Sequence, residues 1–424
     1  MKKEKLSFTV LQSSNFRILL LTRMFSMMAL QAQAVIVGWQ IYTLTKNPFL
    51  LGLTGLFEAV PAIACALFAG HIVDISKPQR IYFYCLGLLT LNTIFLMLIG
   101  GGILPLSPLY FLPLVYSAIF ISGFARSFIM PSSFSLLAQI IPRKDISSAS
   151  AWLSSGFHAA TIVAPAMAGI IYGGYGALVA WMMPTILMSI SLIMVLFLKT
   201  EDYVRAVGAR EPAMQSIKAG WTFIMKSPIL LSAMMLDMLA VLFGGAIALL
   251  PAFADQILEI GSEGLGILRA APAIGAIVMA LALAVRPMKT IPVTRLLWVV
   301  VGFGVCMVGF GVSTSFWLSL VFLTLSGAFD SVSMVIRGTL MQLYTPENMR
   351  GRVSSVNSMF IVSSNELGAF YSGTMAKLLG LVPAVIVGGF ATLFVSGATA
   401  ILSPSFRKTV VIVDEQSIQK APAE

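Results

Sequence analysis

The sequence predicts an all-α membrane protein in which twelve transmembrane helices form two pseudo-symmetric bundles of six. Three observations lead to this prediction: an unusually apolar composition, a series of long apolar segments, and an internal repeat. Hydrophobic residues make up 58% of the 424 residues, charged residues make up 10%, and the mean hydropathy is +0.93. A soluble core does not use so much apolar sequence, so we expect the chain to cross a membrane several times.

Twelve apolar segments are long enough to be spans. Each exceeds about 17 residues without strict alternation, whereas a barrel strand needs only about 9 to 11. In chain order the predicted spans are 15–44, 48–75, 79–101, 110–141, 146–172, 177–198, 229–258, 264–285, 292–313, 316–344, 353–377 and 382–402.

Basic residues predict the orientation of these spans. Of the 27 Lys and Arg residues, 21 fall on one side of the predicted membrane, only Lys46 and Lys377 fall on the other, and four arginines lie inside spans. Cytoplasmic loops carry such an excess of basic residues. We therefore expect a multi-pass protein of the cytoplasmic (inner) membrane with both termini in the cytoplasm. The net charge of +10 then reflects topology and lipid contact, and no nucleic-acid partner is expected.

An internal repeat predicts two related halves. Residues 55–63 recur 211 positions later as residues 266–274, with five of nine positions identical. A second match has an offset of 204: Ser122, Gly123 and Pro142 correspond to Ser326, Gly327 and Pro346, and Arg126 falls on Asp330. Because both offsets join helix n to helix n+6, parallel repeats of six helices are expected.

The repeat divides the chain into four predicted parts. Residues 1–199 and 229–404 are the two six-helix bundles, residues 200–228 are a cytoplasmic linker, and residues 405–424 are a cytoplasmic tail. Within the linker, Ile217, Trp221 and Ile224 recur at helical spacing beside Lys218 and Lys226. This pattern predicts a short amphipathic helix on the membrane surface.

Nine ionisable residues are centrally placed within the predicted spans. Each one costs about 2.5 to 3.5 kcal/mol near the bilayer centre and needs a partner or water. Spans 3, 6, 9 and 12 have none in their interiors, and the nine are Arg23, Glu58, Arg126, His158, Asp237, Arg269, Asp330, Arg337 and Glu366. We expect the first two spans of each triplet to face an aqueous cavity or the other half. Any single residue is equally explained by a structural ion pair or by a snorkelling side chain.

Four of the nine are candidates for proton coupling, because a carboxylate in a cavity of low dielectric is a group whose proton affinity the protein can tune. Glu58 is the first candidate, and Asp237, Asp330 and Glu366 follow. Arg126 and Asp330 occupy matching repeat positions, so we hypothesise that they face each other and pair in one state.

The other charged candidates concern the substrate. Four arginines are candidate anchors for an anionic or carbonyl-rich molecule: Arg23, Arg126, Arg269 and Arg337. The 28 Phe and 24 Met residues suit an apolar substrate body, although lipid contact and packing explain most of them. Cys65, Cys85 and Cys306 lie far apart in apolar segments, so neither a disulfide nor a metal site is predicted, and no cofactor is expected.

Gly70, Asp74, Lys77 and Arg80 resemble the loop between helices 2 and 3 of the major facilitator superfamily, Gly-x-x-x-Asp-Arg-x-Gly-Arg-Lys. Ile75 replaces the usual arginine, so the charge lock that this motif implies is only partly present. Residues 345–353, with the sequence Thr-Pro-Glu-Asn-Met-Arg-Gly-Arg-Val, are similar to the enterobactin-exporter and macrolide-efflux group of that superfamily. The likeness runs along most of the chain and implies the major facilitator fold and antiport of a drug or siderophore against protons.

Two further sets of residues take expected roles from this resemblance. Span 5 carries a degenerate version of the antiporter motif, with alanine where glycine is usual. Its residues are Ala160, Ala164, Pro165, Gly169 and Gly173. Close helix packing explains these residues by itself, and the resemblance implies that such packing limits leak and favours export. The expected gating residues, which would lock the outward-open state or serve merely as topology charges and caps, are Asp74, Arg80, Glu347, Arg350 and Arg352.

We therefore predict a monomeric, proton-coupled exporter of a small amphipathic molecule that works by alternating access. A facilitator or importer of the same fold, or a lysolipid transporter, is the nearest alternative. A non-transporting membrane sensor belongs to a different class and would more naturally carry a soluble domain. An ATP-driven pump is disfavoured because no Gly-x-x-x-x-Gly-Lys-Ser/Thr sequence occurs. An enzyme is disfavoured because His71 and His158 are the only histidines and no nucleophile–base arrangement is evident.

Overall fold

The structure is a computed structural model, and it describes residues 8–104, 107–142, 145–199, 213–286, 288, 290–346, 349–403, 406 and 409–412. Nearly all of this part of the chain is α-helical. The helices are α1 (Ser14–Thr45), α2 (Pro48–Ile75), α3 (Pro78–Gly100), α4 (Pro108–Ile140), α5 (Ile146–Leu196), α6 (Ala213–Lys226), α7 (Pro228–Gly244), α8 (Leu250–Gln256), α9 (Gly261–Val285), α10 (Thr294–Val312), α11 (Phe316–Tyr344), α12 (Arg350–Leu379) and α13 (Leu381–Leu402).

The predicted all-α membrane fold is confirmed, and α2 and α11 coincide with two predicted spans. Ten helical stretches of the described chain are long and apolar enough to cross a membrane. That number is consistent with twelve spans for two reasons. Helix α5 contains two predicted spans but is counted once. Helix α12 is as long as a span but is too rich in polar residues to be counted among the ten.

Glycines separate the last two helices of each repeat. At Gly176 the backbone takes φ 82° and ψ 179°, so α5 is two helices joined at that residue. At Gly380, between α12 and α13, φ is 94° and ψ is 163°. Residues with a side chain are strained at such a φ, whereas glycine is not. The two glycines lie 204 residues apart, which is the offset of the second sequence match.

Three features of the described chain depart from continuous helix. Predicted span 7 is interrupted, because α7 ends at Gly244 and a 3-10 turn at Ile247–Leu249 leads into α8. A second 3-10 turn, Phe8–Gln12, precedes α1. Strands β1 (Thr290–Pro292) and β2 (Val410–Ile412) form a short antiparallel ribbon that the sequence reasoning did not predict.

The chain forms two compact units. Unit 1 comprises Met1–Lys46, Phe57–Arg210 and Ile260–Ala270, and unit 2 comprises Asn47–Leu56, Glu211–Glu259 and Ala271–Glu424. Helix α2 therefore begins in unit 2 and continues in unit 1, and α9 does the reverse. The predicted division into bundles, linker and tail stays a prediction.

Each unit has its own core. In unit 1, α1, α3, α4 and α5 bury a cluster that includes Phe16, Tyr82 and Leu86. Gln40 joins three elements there, since its amide donates to the Gly100 carbonyl (2.6 Å) and its oxygen accepts from the buried Trp181 indole (3.1 Å). In unit 2, α7, α10, α11 and α13 bury a second cluster that includes Leu230 and Ile336.

Helix α6 lies in the segment for which the sequence predicts a short helix. The Ile224 side chain is 1% exposed, and the Trp221 ring, which is 48% exposed, stacks on Phe360 of α12 at 5.6 Å. Lys218 and Lys226 are exposed, and the side chain of Ile217 lies outside the described residues. The position of α6 on a membrane surface stays a prediction.

Within each repeat, the segment of the first sequence match contacts the segment of the second. In unit 1, α4 crosses α2 at Gly123, where a Cβ would lie 2.6 Å from the Glu58 carbonyl oxygen and 2.9 Å from Pro61. In unit 2, α11 crosses α9 at Gly327, where a Cβ would overlap the backbone of Pro272. Gly327 matches Gly123 at one offset, and Pro272 matches Pro61 at the other. The repeat therefore preserves a helix crossing that needs glycine.

This crossing predicts an effect on stability. We expect Gly327→Ala to destabilise the protein by about 1 to 3 kcal/mol, because the added methyl group forces the two helix backbones apart. The measurement is thermal unfolding of the purified protein in detergent. Gly338→Ala is the matched control on the same helix, since a Cβ there meets no atom within 4 Å. Equal unfolding midpoints for the two variants would contradict the prediction.

Candidate functional site

The nine ionisable residues of the predicted spans all lie inside helices. They occupy α1, α2, α4, the first part of α5, α7, α9, α11 and α12. Helix α13, the interiors of α3 and α10 and the part of α5 after Gly176 carry no Asp, Glu, His, Lys or Arg. The polar residues are therefore confined to particular helices, and the structure joins several of them within each unit.

Glu58 and Arg126 form an ion pair in unit 1. The close crossing at Gly123 brings α2 and α4 together, and Arg126 lies one turn further along α4. Its Nη1 pairs with Oε1 of Glu58. The two side chains are 41% and 22% exposed, so the pair faces accessible space. The partner of Arg126 in this structure is thus Glu58, and the hypothesised pairing with Asp330 stays a prediction.

Asp237 and Arg337 form a buried ion pair in unit 2. Arg337 Nη1 lies 2.7 Å from Asp237 Oδ2, and the two side chains are only 7% and 9% exposed. The Ser333 hydroxyl, one turn before Arg337 on α11, donates a hydrogen bond to Asp237 Oδ1 at 3.5 Å. Sequence reasoning had given the two residues separate roles. It missed the pair because nothing in the sequence links position 237 on α7 with position 337 on α11.

Asp330 lies beside this pair. It is seven residues before Arg337, so both are on the same face of α11. Asp237, Asp330 and Ser333 line a small cavity between α7, α10 and α11. The remaining walls are apolar: Ala240, Val241, Val299, Val300, Phe303 and Phe329.

Arg23 has a different environment in unit 1. Its guanidinium donates to Ser133 Oγ (3.4 Å) and to Met130 Sδ (3.3 Å) and lies 5.5 Å from the ring centre of Phe134. These three residues share one face of α4 with Arg126, and the Met130 and Phe134 side chains are half-exposed. Among the residues that the structure describes, no carboxylate pairs with Arg23. A cation is thus held by neutral groups beside accessible space.

The remaining candidates, Arg269, His158 and Glu366, lie in three other helices. Arg269 donates a long hydrogen bond to the Ala34 carbonyl (3.5 Å), and the His158 ring contacts Phe157. The Glu366 backbone carbonyl lies against Gly55 where α2 meets α12. Their predicted roles in coupling and substrate binding stay predictions.

The predicted gating residues are only partly within the described structure. Glu347 and the side chain of Asp74 lie outside it. Arg80 lies in the first turn of α3, and Arg350 begins α12. Arg352 donates to Met349 Sδ at 3.5 Å. The contacts of the described residues do not test an ion-pair lock between these side chains, so their gating role stays a prediction.

The small residues of α5 make a close helix contact. Ala160 and Ala164 are fully buried. A Cβ at Gly169 would overlap the backbone of Ser262 and Gly266 on α9, and a Cβ at Gly266 would lie 2.5 Å from the Pro165 carbonyl oxygen. At Gly173 a Cβ would lie 2.6 Å from Glu263 Cγ. The packing that the motif suggested is therefore present between α5 and the first part of α9.

No group of three or more His, Cys, Asp or Glu side chains in the described residues is arranged to hold a metal ion. Cys65, Cys85 and Cys306 are free thiols.

Comparison with known proteins gives one family. The model of the transmembrane secretion effector family, a part of the major facilitator superfamily, matches residues 6–419. Enterobactin exporters EntS of Shigella boydii serotype 4 (strain Sb227) and of Escherichia coli O1:K1 / APEC are each 24% identical over 380 residues, which cover 90% of this chain and 89% of the relative.

Solved structures share the fold at low identity. A POT family transporter in complex with 5-aminolevulinic acid superposes with a TM-score of 0.73 at 10% identity, covering 93% of this chain and 96% of the other. A bacterial homologue of the human lysosomal transporter Spinster, in an inward-facing and occupied conformation, superposes with a TM-score of 0.69 at 14% identity, covering 97% and 99%.

The two ion pairs predict different effects on stability. Arg337→Met leaves the Asp237 carboxylate buried without a partner, so we expect a loss of about 3 to 5 kcal/mol. Arg126→Met breaks a more exposed pair, so the loss should be smaller, about 1 to 2 kcal/mol. Thermal unfolding of both purified variants in detergent measures the difference. An equal loss, or a larger loss for Arg126→Met, would contradict this ranking. Adding Asp237→Leu to Arg337→Met should recover most of the loss.

Proposed function

Since the chain belongs to the transmembrane secretion effector family of the major facilitator superfamily, we propose that it is a proton-coupled exporter of a small amphipathic molecule with an anionic or carbonyl-rich group. It is a multi-pass secondary transporter rather than a member of an enzyme family. The proposed location is the cytoplasmic membrane, with both termini in the cytoplasm, and the working unit is a monomer.

Arg23 is the observation that carries the proposed substrate class. A guanidinium in an apolar helix is costly unless a partner compensates its charge. Here a thioether, a hydroxyl and an aromatic ring surround it, and none of them is charged. An anionic or carbonyl group of a substrate would supply the missing partner, because arginine binds such groups through several parallel donors. The half-exposed Met130 and Phe134 side chains would contact the apolar part of the same molecule.

Export is the direction that the relatives favour, since those described above are named exporters. Matching glycines of the repeat also favour alternating access. Gly55 of α2 meets Glu366 and Ala369 of α12, and its counterpart Gly266 of α9 meets Gly169 of α5. Both contacts join a helix from one sequence half to a helix from the other through small residues. Interfaces of this kind allow close approach and have few interlocking side chains to break on separation.

Transport in liposomes tests this function. Purified protein is reconstituted with a pH-sensitive dye inside the vesicles, and catecholate siderophores, macrolides and lysolipids are supplied in turn. We expect one class to drive proton movement in the direction opposite to its own flux. Substrate flux without proton movement would identify a facilitator instead. Proton movement in the same direction as the substrate would identify a symporter, and either outcome overturns the proposed antiport.

Replacement of Arg23 tests the substrate class. We expect Arg23→Gln to weaken binding of an anionic substrate about tenfold or more, because it removes charge-assisted hydrogen bonds that contribute about 1.5 to 3 kcal/mol. A neutral analogue of the same substrate should lose little affinity. Binding is measured with the purified variant by fluorescence or calorimetry. Arg17→Gln is the matched control, since Arg17 is an exposed arginine earlier in the same helix. Equal losses of affinity for the anionic and the neutral ligand would contradict the assignment.

A further inference from the structure

The buried cluster of unit 2 contains more negative than positive groups. Asp237 and Asp330 both line the cavity between α7, α10 and α11, and among the described residues Arg337 is the cation that interacts with them. Arg337 already forms an ion pair with Asp237, with 2.7 Å between Nη1 and Oδ2. In the same part of the structure, the Asp330 carboxylate lines the cavity and has neither a hydrogen bond nor an ion pair.

The charges around Asp330 come from few elements. Arg337 is on its own helix, and Asp237 is on α7. Helix α10 contributes only Val299, Val300 and Phe303 to the cavity wall. The part of α9 that belongs to unit 2, from Ala271 to Val285, has no charged residue, and no described ionisable group of α12 interacts with Asp330. With both carboxylates ionised, the cluster therefore has one uncompensated negative charge.

In the first repeat, the charges at the corresponding positions compensate each other. The Glu58 carboxylate pairs with the Arg126 guanidinium. The matching positions of the second repeat hold Arg269 and Asp330, so the signs are inverted. Glu58 has a partner within its unit, whereas Asp330 has none among the described residues of unit 2 other than the already paired Arg337.

We propose that Asp330 is the residue that binds the coupling proton, an inference that rests on the proposed antiport and names its site. One proton on the Asp330 carboxylate leaves Asp237 and Arg337 as a neutral pair and removes the uncompensated charge. A metal cation fits less well, because hard cations require several oxygen ligands and this cavity offers two carboxylates and one hydroxyl among apolar walls.

Loss of the proton would couple to conformation. An ionised Asp330 in an apolar cavity needs water or a new cationic partner. Either requirement is met when α11 moves relative to α7 and α10, so the deprotonated form favours a rearranged site and the protonated form favours the packed one. The proton is taken up and released by the same carboxylate oxygens, and no other bond changes.

Infrared difference spectroscopy tests this without any substrate. Spectra of the purified protein are recorded across a pH titration, and the carbonyl stretch of a protonated carboxylic acid is followed. We expect the wild type to show such a titrating band, Asp330→Asn to lose it, and Glu58→Gln to keep it. Asp330→Glu, a second variant in case the asparagine form does not fold, should keep a shifted band.

The outcomes separate this site from the proposed function. The assignment is overturned if Asp330→Asn retains the band. It is equally overturned if Asp237→Asn loses the band while the Asp330 variant is unaffected, or if the band responds to sodium instead of pH. In liposomes, Asp330→Asn should retain substrate exchange while proton movement falls to background. If the wild type transports nothing from the substrate panel, the proposed function fails, whereas the infrared result still decides whether Asp330 binds a proton.

Discussion

The cost of a charge in an apolar helix is the constraint on which this structure depends. A lone ionised group inside a membrane span is unfavourable by several kcal/mol, so the chain neutralises its charges by pairing or leaves them beside accessible space. Asp237 and Arg337 follow the first route, with both side chains almost fully buried. Glu58 and Arg126 combine the two, since their pair is partly exposed. Arg23 follows the second route without a charged partner among the described residues, and Asp330 lies beside an arginine that is already paired with Asp237.

Matching glycines of the two repeats explain why matching helices cross and break alike. Gly123 and Gly327 permit the same crossing, and Gly176 and Gly380 permit the same break. A side chain at these positions would meet backbone atoms or a strained φ. The charges near the crossings differ between the repeats, and a different residue there changes the electrostatics without separating the helices. A common scaffold thus carries Glu58 with Arg126 in one repeat and Arg269 with Asp330 in the other.

The sequence predicts the helices well and the contacts between charges poorly, for physical reasons. A span is encoded locally by the length of an apolar run, so α2 and α11 were predicted to the residue. The small residues of α5 lie at a close contact with α9. Ion pairs depend on which helix faces join, so neither Glu58–Arg126 nor Asp237–Arg337 was found in advance. The ribbon between β1 and β2 joins segments about 120 residues apart, and three-residue strands leave too little pattern to detect.

Arg23 in unit 1 and Asp330 in unit 2 each lack an ion-pair partner of their own among the described residues, and their charges have opposite signs. In unit 1 the cation Arg23 is surrounded by neutral groups, and in unit 2 the carboxylate of Asp330 lies beside an arginine already paired with Asp237. In the proposed exporter, an anionic substrate would compensate the first charge and a proton would compensate the second. The two sites are on different helices, α1 with α4 and α7 with α11, so each ligand would make contacts of its own. Antiport then requires that both sites respond to the same conformational change, so that binding of one ligand disfavours binding of the other.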